Sequence, residues 1–253
     1  MLKNFIQTEF DVILLGGQSN AWGIGLGDSE LTFTPHGDIL QMNDDFTITE
    51  ARENVYNGQS AAYFSLTFAE EYIKSGLLKP GRKALIVRSP VSGTGFSDGR
   101  WGPRDDLYLR MMEMAKAALG LNPGNRLAAF LWHQGETDVI NKVSYGYYYG
   151  HLSALLKSVR DTFGVPNLPF VAGNFVEQWR LHNVQAEGKE PVIRALRDVC
   201  APAGNARFVE TDGLASNDQK TGNGDDIHFS REALYIMGER YFEAFRGIVN
   251  GDN

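Results

Sequence analysis

The chain has 253 residues and a mass of 28.1 kDa, with 43% hydrophobic and 11% aromatic residues, enough to bury a sizeable core in a single domain spanning residues 1–253. A net charge of −7 and a pI near 5.3 argue against nucleic acid or an anionic membrane surface as the main partner. Cys200 is the only cysteine, which excludes an intramolecular disulfide and a Cys-rich zinc site.

The opening residues carry no apolar stretch followed by small residues, and no run of about eighteen apolar residues occurs anywhere, so neither a signal peptide nor a membrane span is expected. That predicts a cytoplasmic protein. No internal repeat or low-complexity segment breaks the chain.

The first predicted element is a buried strand over 11–15, Asp-Val-Ile-Leu-Leu, ended by Gly16-Gly17 and followed by Gln18-Ser19-Asn20. Further strands are predicted at 83–88, 127–132, 168–174 and 206–210. Helices are predicted between and after them at about 59–75, 104–119, 144–163, 191–200 and 231–246. In the last helix Ala233, Leu234, Met237, Tyr241, Phe242 and Phe245 form an apolar stripe, and Ser230 precedes it as N-cap. This alternation predicts a five-stranded parallel sheet with helices on both faces, in the order 2-1-3-4-5. Ligands of such sheets bind outside the carboxyl ends of the strands. Three long connections, 21–58, 89–103 and 211–229, start at those ends and are expected to wall a pocket.

The chemistry-bearing residues lie at the same ends. Ser19 follows the first strand beside two glycines. A serine hydroxyl is a weak nucleophile and needs a base. Asp225-Asp226-Ile227-His228 supplies one: Asp225, one turn before His228, reaches back to Nδ1 and leaves Nε2 free for the Ser19 proton. Asp226 then points elsewhere and reads as a helix N-terminal carboxylate. Three donors for a developing oxyanion are expected: the Ser19 N–H, the Gly93 N–H after the second strand, and the Gln134 amide after the third.

Gly17-Gln18-Ser19-Asn20, Gly93, His133-Gln134-Gly135-Glu136 and Asp225-x-x-His228 resemble the blocks of the SGNH hydrolase superfamily. The Gly-Gln-Ser-Asn and His-Gln-Gly-Glu forms are those of its sialate O-acetylesterase and family 6 carbohydrate (acetylxylan) esterase branch. The resemblance runs from residue 12 to 230. It implies a flavodoxin-like three-layer α/β/α fold and a metal-independent serine esterase that removes O-acetyl groups from sugars without a cofactor. Ser19 would be nucleophile, Asp225 and His228 would complete a triad, and Ser19, Gly93 and Gln134 would hold the oxyanion. Ser92 and Gly95, on either side of Gly93-Thr94, depart from the branch's second block.

Singly, each signal has a plainer reading: Gly-Gly-Gln-Ser-Asn as a strand–turn–helix junction, Asp-x-x-His as helix capping. Four blocks in order, each at a strand end, favour the esterase. His133, Glu136 and Asp138 read as structural groups that hold loops. The expected partner is a small acetylated carbohydrate, with Trp101 or Trp179 stacking on the sugar, both having polar sequence neighbours. Nothing in the sequence indicates an oligomer. The competing readings are a lipid or thioester hydrolase on the same scaffold and a non-catalytic carbohydrate-binding protein. The acidic loop 21–58 speaks against the first and the intact Ser19, Asp225 and His228 against the second.

Overall fold

A computed structural model describes residues 5–182, 186–201 and 205–251. In chain order it contains β1 (Glu9–Gly17), α1 (Ser19–Trp22), β2 (Ile39–Met42), β3 (Ile48–Glu50), β4 (Asn54–Tyr56), β5 (Gln59–Ala61), α2 (Ser65–Lys74), β6 (Arg82–Arg88), α3 (Asp106–Gly120) and β7 (Arg126–His133). There follow α4 (Glu136–Ile140), α5 (Tyr145–Phe163), β8 (Phe170–Gly173), α6 (Glu177–His182), α7 (Ala186–Cys200), β9 (Ala206–Val209), α8 (Asn217–Thr221) and α9 (Arg231–Asn250).

The central sheet runs β3-β2-β6-β1-β7-β8-β9. Its five strands β6-β1-β7-β8-β9 are the five predicted ones, all parallel and in the predicted order. The sheet is larger than expected by two strands at one edge. β2 adds in parallel to β6, and β3 adds antiparallel to β2. Both lie within what reads as the polar loop 21–58. Ile39-Leu40-Gln41-Met42 is only four residues long, too short for a periodicity to register, yet every one of its side chains is buried.

Two helix starts also differ. The helix predicted from 59 begins at Ser65, because residues 54–61 form the β4–β5 hairpin. Asn57-Gly58 makes its turn with both residues at positive φ (49° and 76°), the pairing favoured in a two-residue hairpin. The helix predicted from 191 begins at Ala186 and carries Pro191 inside it.

β1 is buried from Phe10 to Gly17. β7 alternates its side chains between the two helical layers. Trp132 points toward Trp101 and Phe96, beneath α3 and α5. His133 points the other way, toward Phe64 before α2 and Tyr241 of α9. The last turn of β1 has room for nothing but glycine at residue 17: φ is 129°, and a Cβ would fall 2.0 Å from the His133 carbonyl oxygen. That close crossing delivers Ser19 to the carboxyl edge of the sheet.

Candidate active site

Ser19 is the first residue of α1 and is 5% exposed. Its Oγ lies 2.9 Å from His228 Nε2. On the far side of the imidazole, Nδ1 lies 2.8 and 3.0 Å from the two oxygens of Asp225. The Asp225 carboxylate also accepts the backbone N–H of His228 at 3.3 Å and the Asn217 side-chain N–H at 2.9 Å. Burial raises its pKa, but these hydrogen bonds outweigh it and hold the carboxyl below the usual carboxylate value. Asp225 is therefore anionic at neutral pH and holds the Nδ1 proton. That leaves Nε2 as the acceptor facing Ser19. Ser19, His228 and Asp225 are thus brought into one hydrogen-bonded line.

Asp226 lies off the imidazole, and it is not in the first turn of α9, where Glu232 is the acidic residue. Ser230 caps that helix as expected, accepting the Ala233 N–H at 3.3 Å.

The loop after β6 is tied to the nucleophile turn from two sides. Val91 N–H donates to the Gly17 carbonyl at 3.1 Å, and the Thr94 carbonyl accepts from Gln134 Nε2 at 3.2 Å. Gly93 lies between these anchors, exposed and with φ of 70°. Among the described residues its N–H and that of Ser19 donate to nothing.

Gln134 is placed differently from the sequence expectation. It is fully buried, and its Nε2 faces three protein acceptors: Asp138 Oδ2 at 2.7 Å, the Thr94 carbonyl and Gln18 Oε1 at 3.2 Å. The Thr94 carbonyl can only accept, which fixes which end of the amide is which; the Tyr148 hydroxyl donates to the Gln134 backbone carbonyl at 2.7 Å and lies 3.0 Å from Oε1. Both N–H groups are committed inside the protein, so the side chain offers no free donor to an oxyanion. It serves the site indirectly. Asp138 accepts the Phe96 and Ser97 N–H groups at 3.0 and 2.8 Å, so Gln134 and Asp138 together fasten residues 94–97 over the sheet.

Both tryptophans expected to stack on sugar are core residues. Trp101 is fully buried, donates Nε1–H to Thr94 Oγ1 at 2.9 Å and packs edge-on against Trp132. Trp179 is 3% exposed, with Lys189 Nζ 4.3 Å above its ring and Phe175 edge-on against it. Polar sequence neighbours do not place a ring at the surface. Arg100 turns outward to pair with Asp106 at 2.7 Å while the large indole beside it goes in.

The half-buried tryptophan is Trp22, one turn along α1 from Ser19 and so on the same helix face. It lines a cavity of about 390 Å³ with Asn43, Asp44, Asp45, Thr47 and Arg88. Asn43 to Asp45 follow β2, Arg88 ends β6, and Trp22 follows β1, so the cavity opens at the carboxyl ends of three neighbouring parallel strands. Arg88 and Asn54 both donate to the Trp22 carbonyl, at 2.8 and 2.6 Å, and Tyr56 packs edge-on against its ring.

Cys200 stays out of the chemistry. It is buried, and burial pushes its thiol up to about 12. Among the described residues no group of three or more His, Cys, Asp or Glu is arranged to hold a metal ion, and no helix is long and apolar enough to cross a membrane.

Comparison with known proteins agrees with this architecture. A probable carbohydrate esterase of Arabidopsis thaliana is 26% identical over 178 residues, 63% of this chain and 66% of that protein's length. Among solved structures, NanS superposes with a TM-score of 0.79 at 19% identity, covering 96% of this chain and 98% of its own. A carbohydrate acetylesterase from Xanthomonas citri superposes with a TM-score of 0.66 at 16% identity, covering 96% and 57%. At such identities these likenesses speak for the fold. The sequence profile of the family described as carbohydrate esterase, sialic acid-specific acetylesterase, matches residues 9–247, and the chain belongs to that family of the SGNH superfamily.

Proposed function

We propose that this chain is a serine esterase that removes O-acetyl groups from a carbohydrate. The observation that carries the reading is the line Ser19 Oγ–His228 Nε2–Asp225, at 2.9 and 2.8 Å. His228 takes the Ser19 proton as Oγ attacks the acetyl carbonyl. The N–H groups of Ser19 and Gly93 receive the oxyanion. His228 then protonates the departing sugar oxygen and the acetyl group stays on Ser19. Water, deprotonated by the same imidazole, releases acetate and restores the serine.

The sugar occupies the cavity beside Trp22. Its volume is near the lower end for small-molecule sites, about 300–1,000 Å³, which suits one ring better than a long chain. A half-buried indole that shares the lining with carboxylate, amide and hydroxyl groups suits a hydroxyl-rich ring. The same rim disfavours the acyl chain that a lipid or thioester hydrolase would bind.

The test is acetate release from acetylated xylo-oligosaccharides, O-acetyl sialic acids and a medium-chain acyl ester, with wild type and Ser19→Ala. Turnover of at least one acetylated sugar by wild type alone is expected. Wild-type turnover by Ser19→Ala overturns the serine mechanism, and preference for the medium-chain ester overturns the substrate class.

A further inference from the structure

Two buried polar groups beside the proposed triad have no part in that mechanism. Asn20 directly follows Ser19 and is 1% exposed. Its carboxamide makes three hydrogen bonds. Oδ1 accepts the Phe229 N–H at 3.1 Å, and Nδ2 donates to the Ile227 carbonyl at 3.1 Å and to Glu136 Oε1 at 2.7 Å. Ile227 and Phe229 flank His228. The backbone on both sides of the imidazole is therefore held by the residue next to Ser19. Only a carboxamide supplies a donor and an acceptor at this reach, to match a carbonyl on one side and an N–H on the other. A slide of residues 227–229 relative to Ser19 breaks both bonds in a buried place, where water does not replace them.

Glu136 fixes the other Nδ2 hydrogen. It is fully buried, no Lys or Arg pairs with it among the described residues, and its Oε2 has no hydrogen-bond partner there. The titratable groups around it are His133, Asp138, His228 and the hydroxyls of Tyr148 and Tyr241. Among them His133 has its Nε2 3.8 Å from Glu136 Oε1, and that nitrogen also lacks a hydrogen-bond partner. Its protonation can be worked out. The Tyr241 hydroxyl donates to the Trp132 carbonyl at 3.0 Å, so toward His133 Nδ1, at 2.9 Å, it is an acceptor. Nδ1 therefore carries the ring proton and Nε2 turns a lone pair toward Glu136. The ring stays neutral, since burial pushes its pKa down to about 3. An ionised Glu136 would face that lone pair with no cation in reach. A protonated Glu136 removes the conflict and still offers Asn20 an oxygen, and burial raises its pKa in the same direction.

We infer that Asn20 and a neutral Glu136 form a clamp that positions His228 against Ser19, with Glu136 acting as a hydrogen-bond acceptor and not as a second catalytic carboxylate. Both are positioning residues, and the inference rests on the serine-esterase reading.

The experiment measures kcat, KM and the pH profile of kcat with a small activated acetyl ester. It compares wild type, Asn20→Ala, Glu136→Gln and Glu136→Leu, with Ser19→Ala as control. Glu136→Gln keeps an acceptor and no charge. It is expected to retain kcat within about threefold and to leave the acid limb where it is. Asn20→Ala and Glu136→Leu are expected to lower kcat about 10²-fold with KM little changed, the size of loss that a small misplacement of reacting groups causes. The inference is overturned if Glu136→Gln loses as much as Glu136→Leu, or if its acid limb moves, since either means that the charge on Glu136 matters. It is also overturned if Asn20→Ala changes only KM or melting temperature. Turnover by Ser19→Ala would instead refute the underlying serine reading.

Discussion

Asp11 in β1 and Glu136, the first residue of α4 after β7, are both fully buried carboxyl groups, at opposite ends of the same sheet. Asp11, near the amino ends of β1, β6 and β7, is completely partnered. Arg126 grips it with two bonds at 2.8 and 2.7 Å, Arg82 Nε adds one at 2.6 Å and the Tyr72 hydroxyl another at 2.6 Å. Burial raises its pKa, but these donors together outweigh it and keep the carboxyl below the usual value. Glu136, at the carboxyl end, has one good donor and, among the described residues, no cation and an unpartnered oxygen. The amino end resolves the cost of burying a charge. The carboxyl end avoids that cost by keeping Glu136 neutral, beside the place where Ser19, His228 and Asp225 meet. The fully paired carboxyl lies at one end and the candidate site at the other, the division expected where polar groups are arranged for chemistry and not for fold.

This contrast predicts that damage at the two ends is felt in different measurements. The largest effect is expected at the carboxyl edge. Asp225→Asn should lower kcat by about 10³–10⁴, because the amide favours the wrong imidazole tautomer, while a melting curve barely moves. Comparable losses in both measurements would erase the distinction. At the amino edge, Asp11→Ala strips two arginines of a shared buried partner. It should cost about 3 kcal/mol of stability with kcat of the folded enzyme preserved. A denaturant titration beside an activity assay reads both.

A third prediction sharpens the comparison through pH. Asp11 has a folded pKa below its ordinary 3.8, so the stability it contributes is present above that value and is lost as pH falls through the lowered one. Glu136 has a folded pKa above its ordinary 4.5, so its contribution runs the other way: it is present below that value and lost as pH rises through the raised one. Unfolding free energies across pH should therefore lose slope on the acid side in Asp11→Asn and on the higher-pH side in Glu136→Gln. Identical slope changes in the two variants would contradict the assignment. The smallest effect is expected at Trp22. Trp22→Ala should raise KM for an acetylated sugar by about tenfold, the worth of one aromatic contact, and leave a small activated acetate nearly unaffected.

The residues that were legible in the sequence were those whose geometry is local. Asp225 can reach His228 Nδ1 because a single turn of chain separates them, and the spacing alone distinguishes it from Asp226. The parallel order of five strands followed from the alternation of short apolar runs with helical stripes. What escaped depends on distant partners. Gln134 sits where a donor is wanted, but Asp138 and Thr94 decide which way its amide faces, and no periodicity reports that. Asn20 stood in the Gly-Gln-Ser-Asn block without a role, since its partners are 116, 207 and 209 residues away. β2 was too short to register. By contrast, Asn57-Gly58 is a readable hairpin signal that would have moved the predicted helix start from 59 toward Ser65.

The most direct measurement is a rapid acid quench of the enzyme turning over an activated acetyl ester, followed by mass spectrometry of its peptides. One acetyl group on the peptide carrying Ser19, formed in a burst and absent from Ser19→Ala, is the predicted result. Turnover with Ser19 unlabelled, or with the label on another residue, would contradict the account.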